Sequence, residues 1–319
     1  DGLIWDISDD SCKILNEEST HSELQEEISE TIELNYEEEL HSLIGLNNVK
    51  KEVQKLLRTV EFNQKRLSEG LPIQEQSLHS VFTGNPGTGK TTIARLISRY
   101  MKAIGALTQG QLVEVSRSDL VAQYVGQTAP LTMSVIKSAI GGVLFIDEAY
   151  ALHRGKDDAF GLECIDTLVK AMEDNRDNLI VILAGYKKEM SVFLESNSGL
   201  KSRFPNIINF KDYTGEELYK IACLQAKSKG YHIDEALADK LTAYFNEVQS
   251  INPMEAGNGR LARNMIEDAI LRQSTRLVSN PDSDMSELIE ADFDFTIKIQ
   301  PPKTSDSPTL EDLLKMTQK

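Results

Sequence analysis

The sequence predicts an α/β fold, in which a parallel sheet with helices on both faces is followed by a small all-helical domain. Two observations support this prediction. Short apolar runs alternate with helix-length segments between residues 78 and 210, a pattern typical of strands that are buried on both faces. Beyond Asp212 these runs stop, and apolar residues recur at helical spacing.

The elements follow one another in the order that such a sheet requires. The segment LIGLNNVKKEVQKLLRTVEF predicts a first helix with an asparagine as its N-cap. Its predicted apolar face is formed by Val49, Val53, Leu56 and Val60. Five strands are predicted after it, namely LHSVFTG, LVEV (112–115), GVLFID (142–147), LIVILAG (179–185) and IINF (207–210). Three helical segments form the last domain, namely GEELYKIACLQAKSKG, DEALADKLTAYFNEV and RLARNMIEDAILRQSTRLV.

Charge is concentrated near the start of the chain. Residues 1–40 contain 14 acids and one base, which is a net charge of −13, so only −3 of the total −16 falls on the remainder. We interpret this acidic leader either as a solvated helix or tail, or as a docking or autoinhibitory segment. A body without a basic excess argues against a nucleic-acid binder.

The composition of the chain also predicts its cellular location and its metal content. The longest apolar runs are far shorter than the roughly 18 residues of a membrane span, and no secretory leader is visible. The three cysteines and five histidines are scattered, without the spacing of a zinc site or a disulfide framework. We therefore predict a cytoplasmic protein with no membrane span and no metal site of its own.

A phosphate-binding loop is predicted at GNPGTGKT, between a predicted strand and a predicted helix. Its glycines allow backbone N–H groups to surround phosphate oxygens at a helix N-terminus. Lys90 is predicted to bind the β- and γ-phosphates of ATP, and the Thr91 hydroxyl to bind Mg²⁺. The predicted nucleotide-binding residues of this loop are Gly84, Asn85, Pro86, Gly87, Thr88, Gly89, Lys90, Thr91 and Thr92.

Two carboxylates follow the apolar strand GVLFID. Asp147 is a candidate for the magnesium site, and Glu148 is a candidate for polarising the attacking water. Arg203, in GLKSRFP before the last predicted strand, could reach a γ-phosphate in its own or a neighbouring subunit. Arg260, in GNGRLARN of the helical domain, is placed to sense nucleotide. ATP hydrolysis is the predicted reaction.

Together, GNPGTGKT, VLFIDEAY, GLKSRF and GNGRLARN resemble the Walker A, Walker B, arginine-finger and sensor-2 elements of AAA+ ATPases. The segments FNQKR (62–66), FGLECIDTLVKAMEDNRD (160–177) and ILAGYKKEM (182–190) resemble one branch of that family. It contains stage V sporulation protein K, CbbX (the red-type Rubisco activase) and the C-terminal domain of EccA, and the sporulation protein matches best in the run of motifs. The resemblance covers residues 41 to about 280.

The resemblance implies a homo-oligomeric ring, usually a hexamer, in which Arg203 completes the site of the next subunit. SRSDLVAQYVGQT occupies the position of the first pore loop, which implies that Tyr124, Val125 and Gly126 face the channel and grip a protein client. The alternative interpretation is that Tyr124 packs in the hydrophobic core. HRGKDDAFG (153–161) would be a second pore loop.

The sequence departs from the family at two positions. Tyr186 occupies the place where many AAA+ proteins carry the sensor-1 asparagine. The segment APLTMSVIKS is less basic than its CbbX counterpart, which argues against a site for a sugar-bisphosphate effector. We therefore rank Rubisco activation below sporulation-like or secretion-like remodelling.

Four segments are predicted from these observations: an acidic leader (1–40), a large AAA+ nucleotide-binding domain (41–211), a helical lid (212–280) and a polar tail (281–319). The predicted function is ATP-dependent remodelling of a protein client. A nucleotide-gated assembly scaffold without threading is the alternative from another class, and a Rubisco-activase-type remodeller is a second alternative.

Overall fold

The computed structural model describes residues 36–73, 77–155, 157–279 and 284–300, which form two compact units. The first unit comprises the described residues up to Gly84 and Gly89–Phe210. The second comprises Asn85–Thr88 and the described residues from Lys211 onward. Most of the predicted acidic leader, and residues 301–319 of the predicted polar tail, lie outside the described residues.

The first unit is built on a five-stranded sheet whose strand order is β2-β3-β4-β1-β5. All neighbouring strands pair in parallel, which confirms the predicted sheet. The strands are β1 (Ser80–Thr83), β2 (Leu112–Val115), β3 (Val143–Ile146), β4 (Ile180–Gly185) and β5 (Asn206–Asn209). Because the strands are parallel, their carboxyl ends lie at one edge of the sheet.

The helices of this unit are α1 (Asn47–Ser68), α2 (Lys90–Ala103), α3 (Arg117–Leu120), α4 (Thr128–Ala139), α5 (Ala159–Asp174), α6 (Lys187–Ser196) and α7 (Ser198–Arg203). The predicted apolar face of α1 is buried. Its predicted asparagine N-cap is wrong, since Leu46 holds that position with a left-handed backbone (φ 56°). Gly45 is also left-handed, so this turn starts the helix without a side-chain cap.

Core side chains cover both faces of the sheet, because successive residues of a strand point to opposite sides. In β1, Val81 belongs to one buried apolar cluster and Phe82 to the other. In β3, Leu144 and Phe145 divide in the same way. Residues of α4 and α5 complete the first cluster, and residues of α1 and α2 complete the second. The sheet is therefore covered by helices on both sides, as predicted.

The second unit is mainly helical, with α8 (Gly215–Ser228), α9 (Ala238–Ile251), α10 (Pro253–Ala256) and α11 (Gly259–Ser279). It also contains a parallel pair of two-residue strands, β6 (His232–Ile233) and β7 (Glu287–Leu288), so the prediction of an all-helical domain is corrected on this point. Strands of two residues are too short to show an apolar period, which is why the sequence pattern missed them.

The described residues 284–300 extend this unit beyond residue 280, where we predicted the polar tail to begin. After β7 the chain forms a 3-10 turn, Glu290–Asp292, that contacts α11. Arg276 donates two hydrogen bonds to the buried Asp292 carboxylate, at 2.8 and 2.9 Å. No described helix has both the length and the apolar character to cross a bilayer.

Candidate nucleotide-binding site

The phosphate-binding loop begins directly after β1 and ends in α2. At its start, the Gly84 N–H donates to Gly185 O at 3.1 Å. A Cβ atom on Gly84 would lie 2.4 Å from Phe210 O, so a side chain at this position would collide with backbone. At the other end, Lys90 Nζ donates to Gly84 O at 2.9 Å, which folds the side chain back over the loop.

The start of α2 has the features of an anion site. Its N-cap, Gly89, is left-handed (φ 92°) and makes no side-chain capping hydrogen bond. N–H groups in the first turn of a helix point away from it and attract negative charge. A phosphate group can take the place of the side-chain cap, so this loop fits the nucleotide that the motif predicts.

The tip of the loop, Asn85–Thr88, belongs to the second unit. There a Cβ atom on Gly87 would lie 2.0 Å from Gly257 O and 3.1 Å from the backbone N of Arg260. Arg260 itself is exposed in the first turn of α11. The structure thus places the predicted nucleotide residues of the loop tip next to the helix that carries Arg260.

The two predicted catalytic carboxylates follow β3, at the same edge of the sheet as Gly84. The Asp147 N–H donates to Val115 O at 2.8 Å, and an Asp147 carboxylate oxygen accepts from the Glu148 N–H at 3.0 Å. Glu148 has a left-handed backbone (φ 48°) and is exposed. This backbone turns the Glu148 carboxylate into solvent directly after a buried strand.

Glu114 is a residue near this site that the sequence analysis missed. The Thr91 hydroxyl, predicted to bind Mg²⁺, donates to Glu114 Oε1 at 3.5 Å. Glu114 is the exposed residue of β2, and the signal that could have found it is an acid within an otherwise apolar strand. No group of three or more described His, Cys, Asp or Glu side chains could hold a metal ion alone. Magnesium would therefore need phosphate oxygens in addition to Thr91 and Asp147.

Tyr186, at the predicted sensor-1 position, directly follows β4, which lies between the strands that carry the loop and the carboxylates. Its ring centroid lies 6.0 Å from that of Tyr150. Burial, followed by the charge of Glu148, raises the pKa of Tyr150 to about 12. The Tyr150 phenol therefore stays protonated at neutral pH.

Arg203 ends α7, and its side chain is held within its own subunit. Nη2 donates to Glu173 Oε2 at 3.4 Å, and Nη1 donates to Gly199 O at 3.2 Å. Arg203 Nε is buried, and no described group accepts its proton. While Nη2 is paired with Glu173, the Nε–H of the same guanidinium therefore has no acceptor among the described residues.

The loop between α3 and α4 carries the predicted client-binding residues. The exposed fraction is 69% for Tyr124 and 88% for Val125. Gly126 is left-handed (φ 77°), and a Cβ atom there would meet nothing within 4 Å. Tyr124 is therefore not a core residue of this chain, which removes the alternative that the sequence left open.

Two family models match this chain. The model of the ATPase family associated with various cellular activities (AAA) matches residues 80–212, and the AAA lid domain model matches residues 214–303. Among solved structures, the FIGL-1 AAA domain in complex with ADP has a TM-score of 0.57 and is 18% identical, covering 87% of this chain and 89% of that chain. A likeness at this identity shows the fold alone.

Curated relatives are much more similar in sequence. Stage V sporulation protein K of Bacillus subtilis is 45% identical over 76% of this chain and 76% of that protein. The chloroplastic ribulose bisphosphate carboxylase/oxygenase activase of Cyanidioschyzon merolae is 42% identical over 75% of this chain and 81% of its own length. The ESX-3 secretion system protein EccA3 of Mycobacterium leprae is 38% identical over 87% of this chain but 45% of that protein.

Proposed function

This chain belongs to the AAA family of ATPases, and from that premise we propose that it is a ring-forming motor that remodels a protein client. The ring is a homo-oligomer, most simply a hexamer, that works in the cytoplasm. Each site hydrolyses Mg·ATP at the boundary between two subunits. The relatives whose names include an activase and a sporulation protein support a remodelling role, but their names do not identify the client of this chain.

The positions of the residues support the roles that we propose for them in hydrolysis. Lys90 would hold the phosphates at the start of α2, and Thr91 and Asp147 would hold a magnesium ion, whose charge would offset that of the phosphates. Glu148 polarises the attacking water, since its carboxylate is exposed next to Asp147. Arg203 is supplied to the adjacent subunit, where its guanidinium exchanges Glu173 for a phosphate.

The observation that carries the remodelling proposal is the exposure of Tyr124 and Val125. Two large apolar side chains project from a polar loop, and a left-handed glycine follows them. Such exposure lowers solubility without any benefit to the isolated fold, which favours a contact with another polypeptide. The loop continues from α3, which follows β2 at the edge where the nucleotide residues lie, so nucleotide-dependent movement can reach it.

The test uses Glu148→Gln to stall hydrolysis and compares the proteins captured from a host lysate in the presence of ATP. We expect specific clients to be captured by Glu148→Gln and lost when Tyr124→Ala is added. Val192→Ala is the matched control, because Val192 is a similarly exposed apolar residue (62%) on α6. Clients lost equally with Tyr124→Ala and Val192→Ala would argue against a specific role for the loop.

A nucleotide-gated scaffold is the competing function. In that case ATP switches assembly, and the partner binds the acidic leader or the helical lid. Capture by Glu148→Gln would then be unchanged by Tyr124→Ala. A Rubisco-activase role is a narrower form of the remodelling proposal, and it is disfavoured because Lys137 is the one basic residue of α4.

A further inference from the structure

Asn258 is a fully buried polar residue at the start of α11 whose side chain makes four hydrogen bonds. Its amide nitrogen donates to Pro86 O at 3.2 Å and to Asp212 Oδ1 at 2.9 Å. Its amide oxygen accepts from the Tyr213 N–H at 3.0 Å and from Gln249 Nε2 at 2.8 Å. An asparagine amide has two donors and two acceptor lone pairs, so its full capacity is used.

These bonds are part of a set that holds every residue of the phosphate-loop tip. Asp212, which accepts from Asn258, also accepts from the Asn85 amide with both carboxylate oxygens, at 3.0 and 2.9 Å. The bonds to the remaining tip residues run from Asn258 to Pro86 O, from the Gly259 N–H to Gly87 O and from the Tyr213 hydroxyl to Thr88 O. These bonds thus hold all four residues of the tip, Asn85 through its side-chain amide and the other three through their backbone carbonyls.

The residue type at position 258 is narrowly determined. The backbone there is left-handed (φ 48°), a conformation that asparagine, aspartate and glycine adopt at low cost. Glycine has no side chain to reach Pro86, and aspartate has no donor for Pro86 O or for the Asp212 carboxylate. Asparagine alone of the three meets both requirements.

We propose that Asn258 is a positioning residue of the ATPase site, which holds the tip of the phosphate loop in the conformation that binds nucleotide. Its role is separate from that of Arg260, because it acts on the loop backbone through Pro86 and Asp212. Nucleotide affinity therefore depends on a side chain of the lid that does not itself touch nucleotide. The inference depends on the ATPase activity of the family, and neither the ring nor the client enters it.

The test is the affinity of the full chain for a fluorescent ADP analogue, measured by titration without hydrolysis. Asn258→Asp puts a charged oxygen against Pro86 O and Asp212, so we expect the dissociation constant to rise about 10- to 100-fold. Steady-state kinetics should show a raised KM, with kcat at saturating ATP changed much less. Adding Asp212→Asn restores the hydrogen bond between positions 258 and 212, with position 212 now the donor and position 258 the acceptor. This double variant should recover a large part of the ADP affinity.

The control is Asn252→Asp, which changes another buried asparagine of the same unit whose amide donates to Gln300 O. It should leave ADP affinity unchanged. If Asn258→Asp does not fold, Asp212→Asn is used alone. Asp212 is exposed, and the change removes one carboxylate oxygen that accepts hydrogen bonds in this set, so it should itself weaken ADP binding. The proposal is overturned if the folded Asn258→Asp, or Asp212→Asn in its place, binds ADP as the parent does and only lowers the melting temperature.

Discussion

At the scale of single residues, the backbone of Glu148 is the most informative feature of the sheet edge at which the predicted carboxylates lie. A left-handed glutamate costs of order 1 kcal/mol or more relative to an ordinary conformation. The adjacent Asp147 carboxylate offsets part of this cost by accepting from the Glu148 N–H. The proposed roles of the two carboxylates differ accordingly, since the Asp147 carboxylate is tied to the backbone and the Glu148 carboxylate is exposed to solvent.

His79 is a residue at which we predict a pH dependence of stability. It is buried, and its Nδ1 accepts from the Val181 N–H at 3.0 Å, so the folded protein requires the neutral ring. Burial, followed by the charge of Arg203, lowers the pKa of His79 from 6.5 to about 4. Its contribution is present above pH 6.5 and is lost as pH falls toward 4, by up to about 3 kcal/mol.

Calorimetric melting between pH 7.5 and 4.5 checks this prediction. His79→Asn keeps an acceptor for Val181 but has no ring to protonate, so its melting temperature should fall less over that range. Equal pH dependence in the parent and in His79→Asn would assign the effect to other groups.

At the scale of elements, one ion pair joins three segments of the first unit. Arg117, at the start of α3, donates from both terminal nitrogens to Asp158, at 2.6 and 2.9 Å, and also to Ala151 O and Leu152 O. Asp158 in turn caps α5 by accepting from the Gly161 N–H at 3.0 Å. This pair links the segment that leads to Tyr124 with a 3-10 turn, Ala149–Leu152, that follows Glu148.

We predict that Arg117→Met lowers the free energy of unfolding by about 3–5 kcal/mol, because it leaves a largely buried carboxylate without its cation. The Arg117 guanidinium also holds the pKa of Asp158 well below its usual value, so the carboxylate stays charged. Thermal melting measures the loss. Adding Asp158→Asn should recover part of it, whereas no loss in Arg117→Met would show that the pair is neutral for stability.

At the scale of the whole molecule, the proposed ring can be tested through Arg203. If Arg203 acts on the site of a neighbouring subunit, Arg203→Ala should lower ATP turnover by about 10³-fold or more and leave ADP binding intact. Lys201→Ala is the matched control, since it removes an exposed cation from the same helix. Full ATPase activity in Arg203→Ala would exclude the shared site.

Mixing provides the sharper part of this test. Lys90→Ala subunits lack the lysine predicted to bind phosphate but keep Arg203, whereas Arg203→Ala subunits keep Lys90 and lack the arginine. Random mixing in a head-to-tail ring makes about one quarter of the interfaces complete, so two inactive samples should regain activity together. An Arg203 that acts within its own subunit predicts no recovery.

The sequence by itself determined much of the fold, and it predicted the nucleotide residues. The five strands could be predicted because each contains a short apolar run, and GNPGTGKT could be recognised because its residues are consecutive. These signals are local, so a single chain segment contains all of the information. For Tyr124 the sequence showed the polar residues around it, but only the structure showed that its side chain is exposed.

Only the tertiary structure decided the contacts that join distant segments. Glu114 meets Thr91 across 23 residues, Asp158 meets Arg117 across 41, and Asn258 meets Pro86 across 172. Such pairs leave no periodic pattern in a single sequence, because a hydrogen bond between distant residues does not constrain the residue types that lie between them. The physical reason is that burial leaves each polar group in need of a partner, and the packed fold alone determines which partner is within reach.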